Sequence, residues 1–212
     1  MPFVPAPPCI IPLVSAPAPK NVSEFDPGRP ASSLLEVLRG LFFAPKRFFV
    51  EFSADGPLRA PILFVLLVSA VSALVRLTLV VVLGSIFGDL DAGDLGISAA
   101  QALLYVALSP VLVGLFAAVY LLSLRTFMGT TGDYRQVYRM LAYAYGALIL
   151  LPFPVINAFA FTYAMLVLVA VGVRFVYRAS FLTALLTALV GYVPSALLFL
   201  TLTVYVTGFV FG

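Results

Sequence analysis

The sequence predicts an all-α fold, a polytopic membrane bundle of five transmembrane helices preceded by an interfacial amphipathic helix. Three observations predict it. Hydrophobic residues make up 63% of the chain and charged residues 10%, against roughly half and a quarter in a soluble domain. Apolar stretches of membrane-crossing length recur along it. Eleven of the twelve Lys and Arg residues also fall outside those stretches, all in alternate connecting regions. Lys20, Arg29, Arg39, Lys46, Arg47 and Arg59 precede the first stretch. Arg125, Arg135 and Arg139 lie between the second and third, and Arg174 and Arg178 between the fourth and fifth. The loop 88–98 has Asp89, Asp91 and Asp94 without a base, while 151–158 and the tail after Tyr205 carry no charge. Basic loops remain cytoplasmic during insertion, so the N-terminus is expected inside and the C-terminus outside.

Residues 1–32 hold nine of the sixteen prolines and read as an extended, polyproline-like tail. Its opening Met-Pro-Phe-Val-Pro lacks the basic region of a signal peptide. Such a tail cannot order itself, and Val4, Ile10, Ile11, Leu13 and Phe25 are its expected contacts with a neighbouring subunit at the cytoplasmic surface. Residues 33–60 form the interfacial helix and a linker. Ser33 is the expected N-cap, with Glu36 completing a capping box, and Ala44-Pro45 ends the first run. Lys46 and Arg47 beside Phe48 and Phe49 then read as anchors in the cytoplasmic headgroup layer.

Residues 61–212 form the membrane domain. Its first span is expected at 62–87. The second runs over 99–124, is capped by Ser98 and contains Pro110. The third, 134–151, opens on a capping box of Asp133 and Gln136. A turn at 152–157 leads to the fourth, and the fifth covers 181–206 with Pro194 inside. Only 34 residues between Arg139 and Arg174 cross twice. Each of those legs therefore sits at or below the ~20 residues a bilayer core requires.

The residue inventory narrows the chemistry. There is no His and one Cys, which removes an imidazole base, the usual metal and haem ligand, and any internal disulfide. Cys9 reads as an incidental thiol. No carboxylate falls inside a span, so paired acid–base chemistry has no residues, and no enzyme, metal or cofactor is expected. The net charge of +3 reflects juxtamembrane bases, so no nucleic-acid partner is expected. Asp89, Asp91 and Asp94 resemble the start of a calcium loop, but Ala100 stands where the closing Glu belongs, so they read as a solvated turn.

Arg76 is the one charge placed inside a span, ~21 Å along from Ile62 at 1.5 Å per residue. A charge at that depth is a functional candidate by default. The favoured reading is structural: its stem snorkels toward Asp89, Asp91 and Asp94. Two functions compete. The preferred one is a non-enzymatic interaction or scaffold protein, an accessory subunit whose partners are other integral membrane subunits and lipids. The alternative is a small transporter or channel that uses Arg76 and helices broken at Pro110, Pro152, Pro154 and Pro194.

The block Gly129–Tyr143 resembles a family signature. Gly132, Tyr134 and Tyr143, with a basic-hydrophobic helix between them, are similar to the motif of the Yip domain family, the Ypt/Rab-interacting membrane proteins and their bacterial relatives. A Leu-Leu-x-x-Leu helix before Pro45 and the Phe48-Phe49 pair extends the resemblance over about 33–205. Ala144-Tyr145 departs from the family, where Pro commonly follows, and the acidic-aromatic motifs of its Rab-binding members are absent. The resemblance implies a membrane protein that works by interaction, here a bacterial-type member in the cytoplasmic membrane, and it does not imply Rab binding.

Overall fold

The computed structural model of the chain describes residues 24–88, 91–129, 132–153 and 155–211, with the side chains of 92, 94 and 206–211 left out. Val4, Ile10, Ile11 and Leu13 lie outside the described residues. Within them the secondary structure is helical: α1 (Pro30–Phe43), α2 (Pro45–Glu51), α3 (Arg59–Phe87), α4 (Ala92–Met128) and α5 (Tyr134–Ala144), which tightens into a 3-10 helix (Tyr145–Leu150). α6 (Asn157–Thr162), a π-helical stretch (Tyr163–Leu168) and α7 (Val169–Val176) then make one leg, and α8 (Phe181–Phe211) closes the chain.

Four helical segments are long and apolar enough to cross a membrane: Arg59–Phe87, Leu95–Met128, Asn157–Val176 and Phe181–Tyr205. The segment expected as the third span is different. α5 and its 3-10 extension run alongside α3. Arg139 contacts Pro57, Tyr143 lies against Phe64, Tyr145 bonds Ser69 and Ser72 reaches the Leu148 carbonyl. Every residue from Val137 to Leu148 is buried. This leg is thus a sheathed centre. A 3-10 helix and a π stretch at membrane depth are tolerated where protein, not lipid, surrounds them.

Helix starts differ from expectation where proline and tertiary partners decide. α1 begins at Pro30, whose fixed φ and missing N–H suit the first helical position. Ser33 is therefore inside the helix, buried, and its hydroxyl accepts the Asp26 amide at 2.7 Å. α4 starts after Asp91, leaving Ser98 within it. Asp133 occupies the N-cap position of α5 without a side-chain capping bond, and Gln136 reaches Asp55 Oδ1 at 3.0 Å instead of closing a capping box. Pro110 leaves α4 continuous: the Val106 carbonyl, which loses its helical donor, accepts the Ser109 hydroxyl at 2.9 Å.

The α1–α2 hairpin is built into the bundle. Leu41 packs where Gly146 leaves room, a Cβ there falling 2.9 Å from Leu41 Cδ1, and the Tyr163 hydroxyl donates to the Leu41 carbonyl at 2.9 Å. Phe48 and Phe49, expected as headgroup anchors, are buried instead: they join Phe52, Phe64 and Tyr143 in a cluster with ring centroids 5.2–6.4 Å apart. Each ring contact of this kind is worth about 0.5–1.5 kcal/mol beyond area burial. The outward apolar residues of the hairpin are Leu35, Phe43 and Val50. Lys46 and Arg47 are exposed, the former with its ammonium over the Phe175 ring.

Candidate functional site

Two cation sites occupy opposite ends of the bundle, and they differ in what surrounds the charge. At the end that carries the basic loops, Arg139 is 1% exposed. Its Nη1 donates to the Pro57 carbonyl at 2.6 Å, and its Nη2 donates to Glu24 Oε1 at 2.7 Å and to the Ser53 carbonyl at 3.2 Å. The guanidinium also lies 5.8 Å from the centroid of Phe52. Gly56 is required here, since a Cβ would fall 2.7 Å from Nη1. The planar five-donor fork of Arg suits several fixed acceptors at once. One side chain thereby ties together the 24–29 lead-in, the 52–58 linker and α5.

Around this clamp the family-like motif residues serve backbone positions. The Tyr134 hydroxyl donates to the Gly114 carbonyl at 3.1 Å, and Gly132 leaves space for Leu121, 3.3 Å from a Cβ built there. Tyr143 is fully buried and its hydroxyl accepts the Phe25 amide at 3.3 Å. Phe25, expected to meet a partner, is itself buried, with its ring 5.7 Å from that of Phe64. It belongs to the fold because the Phe25 amide and the Glu24 carboxylate are held by α5. Tyr177, just past α7, has its phenol pushed above the usual range by burial first and by nearby Asp133 second.

On the outer face of the α1–α2 hairpin, Glu36, Arg39, Arg47 and Glu51 line a groove of about 320 Å³ floored by Gly40 and Phe48. Arg47 Nε donates to Glu51 Oε1 at 2.8 Å, and this bond, with the attraction between the charges, raises the guanidinium further above its usual value.

At the opposite end, Arg76 lines a cavity of about 350 Å³ together with Ser72, Tyr105, Asn157 and Thr203, beneath the 151–157 turn. Its Nη2 donates to Gln101 Oε1 at 3.3 Å. Asp91 is exposed, and no ion pair to Arg76 occurs among the described residues, which exclude Asp89 and the Asp94 side chain. Toward the core the cavity is closed. Tyr105 accepts the Tyr145 hydroxyl at 2.6 Å, and the buried Tyr145 and Ser69 lie 3.1 Å apart.

Arg76 was visible in the sequence as a charge in an apolar run; the Arg139 clamp was not. Counting Arg139 as a loop base hid it. The signal that marks it is its setting, with Val137 before and Met140, Leu141 and Tyr143 after, which wraps apolar side chains around the α5 turn. No group of three or more His, Cys, Asp or Glu able to hold a metal occurs among the described residues.

No curated protein and no solved structure gives a significant match to this chain. A family model described as Yip1 domain matches residues 39–206, which takes in the α1 C-terminus, Arg139 with its Ser53 and Pro57 acceptors, the sheathed leg and the membrane-length helices. The chain therefore belongs to the Yip1 domain family and is an integral membrane protein.

Proposed function

We propose that the protein is a non-enzymatic membrane scaffold, an accessory subunit that stabilises a larger assembly in a bacterial cytoplasmic membrane. The observation that carries this reading is the α1–α2 hairpin. Its apolar side is locked into the core, so the charged groove of Glu36, Arg39, Arg47 and Glu51 is presented on a rigid base. A preformed groove of alternating charge favours one orientation of a protein partner and disfavours others. Family membership supports membrane and protein interactions in the same way.

In this reading the chain crosses five times, the sheathed α5 leg included, with the N-terminus cytoplasmic and the C-terminus outside. The distribution of charge supports it: Arg39, Lys46, Arg47, Arg59, Arg125, Arg135, Arg174 and Arg178 cluster at one end, and Asp91 is at the other. On a Cys9→Ser background, Asp91→Cys is expected to react with an impermeant thiol reagent in intact cells and Arg135→Cys only after lysis. The reverse pattern rejects the orientation. The proline-rich tail, through Val4, Ile10, Ile11 and Leu13, extends the grip on the partner.

The scaffold is tested by gentle solubilisation and native mass measurement. A heteromeric assembly of fixed stoichiometry is expected, and the double reversal Glu36→Lys with Arg39→Glu is expected to release the partner without lowering thermal stability. Recovery of the protein alone rejects the reading. The Arg76 cavity favours the second reading, a small transporter. Its closed inner end supports binding over passage, and a solute flux abolished by Arg76→Met in a folded protein is the result that would promote transport.

A further inference from the structure

The Arg76 cavity does not end at the guanidinium. It continues as a groove of about 130 Å³ between α4 and α8, walled by Leu104, Leu108 and Leu112 on one side and Phe199 and Leu202 on the other. Gln101, Leu104, Leu108 and Leu112 follow at helical spacing along one face of α4. Gln101 to Leu112 is eleven steps, about 16 Å at 1.5 Å per residue, long enough to lie along much of one acyl chain. The charged group sits at the outer end, and the hydroxyl of Ser109, farther in, is spent on the Val106 carbonyl.

The side chains at that end have capacity to spare. Gln101 is 5% exposed, and its Nε2 is buried without a hydrogen-bond acceptor. Its Oε1 faces Arg76, so the amide is oriented and the donor is the unpaired group. A buried donor left unpaired is destabilising, so the site gains by receiving an acceptor. Arg76, which lines the same groove, adds a cation and also faces the neighbouring chamber lined by Ser72 and Asn157. Arg76 and Gln101 thus converge on the head of the groove, where a phosphate with several oxygens can accept from both.

We propose that this site binds one anionic phospholipid from the leaflet opposite the basic end, its phosphate on Arg76 and Gln101 Nε2 and one acyl chain along the α4–α8 groove. The guanidinium neutralises the headgroup, the amide donates to a phosphate oxygen, and the leucine wall replaces neighbouring lipid tails around the chain. A zwitterionic lipid brings its own ammonium, which Arg76 repels. The lipid bridges α3, α4 and α8, and so acts as a cement for the half of the bundle that the Arg139 clamp does not reach.

The test uses the full chain, purified in mild detergent and offered phosphatidylglycerol or phosphatidylcholine of the same chain length, with retained lipid counted by native mass spectrometry. One phosphatidylglycerol is expected to be retained, with at least tenfold preference over phosphatidylcholine. Arg76→Met and Gln101→Leu are expected to reduce that preference at least fivefold while the thermal transition of the lipid-free protein stays in place. Leu108→Trp keeps the charge and fills the groove, and it is expected to cut retention of phosphatidylglycerol but not the binding of inorganic phosphate. Equal retention of the two lipids by the wild type overturns the proposal. So does an anion preference that survives Arg76→Met, or retention unchanged by Leu108→Trp.

Discussion

A guanidinium that donates to Glu24, Pro57 and Ser53 together cannot be copied by a single ammonium that reaches less far and has no planar fork. Arg139→Lys is therefore expected to lose two of the three acceptors and to lower stability by about 2 kcal/mol. Arg139→Met leaves all three unpaired and approaches the ~3–5 kcal/mol of a broken buried pair. Detergent-resistance or thermal unfolding measurements give both values, and a change below ~1 kcal/mol for Met would show that the clamp bears little of the fold. Residue-level legibility was uneven for a physical reason. A charge in a run of Val and Leu stands out in one dimension, as Arg76 does. A charge on a short helix with polar neighbours Arg135 and Gln136 looks solvated until three separate segments close over it.

Among the elements, the α1–α2 hairpin moved furthest from its expected setting. Its sequence shows apolar residues over most of the α1 surface and bases interleaved with Phe in α2, a composition that a headgroup layer and a protein groove would accept equally. Periodicity cannot choose between them. What decides is the space left by Gly146, the Gly172 surface against Phe49 and the Tyr163 hydroxyl waiting for the Leu41 carbonyl, none of which is local in sequence. The inward assignment predicts a sharp contrast. Phe49→Ala removes a fully buried ring and is expected to cost about 3–5 kcal/mol, whereas Phe43→Ala, at 84% exposure, is expected to cost less than about 0.5 kcal/mol. Comparable losses at both positions in an unfolding assay would place the hairpin on the surface. The short third and fourth legs, by contrast, were readable from the 34 residues between Arg139 and Arg174. That one of them is sheathed on all sides was not.

At the scale of the whole molecule, composition and the alternation of charge gave a membrane bundle without ambiguity, because insertion energetics act on every residue of a span. The border of the folded unit was harder to read, since proline content suggested that everything before Ser33 was tail. Glu24 and Phe25 instead reach Arg139 and Tyr143 and belong to the bundle. Deleting residues 2–22 is expected to leave thermal stability within about 0.5 kcal/mol, while deleting 2–29 removes the Glu24 ion pair and the Phe25 ring and costs at least about 3 kcal/mol. Equal stability of the two truncations would detach the lead-in from the fold.

The sheathed α5 leg also constrains how the protein is made. α5 brings Arg135, Gln136 and Arg139 into an 11-residue helix, and charged side chains oppose the transfer of a helix into lipid. Such a segment cannot leave the insertion machinery for lipid on its own. In the five-crossing reading proposed above, α5 is expected to integrate only once α3 and α4 form a wall and the stretch from Glu24 to Pro57 supplies acceptors for Arg139. That reading predicts an order of biogenesis that starts at the N-terminus. In a translation-coupled insertion assay, residues 134–151 alone are expected to stay on the cytoplasmic side, and the same residues following 24–133 to integrate.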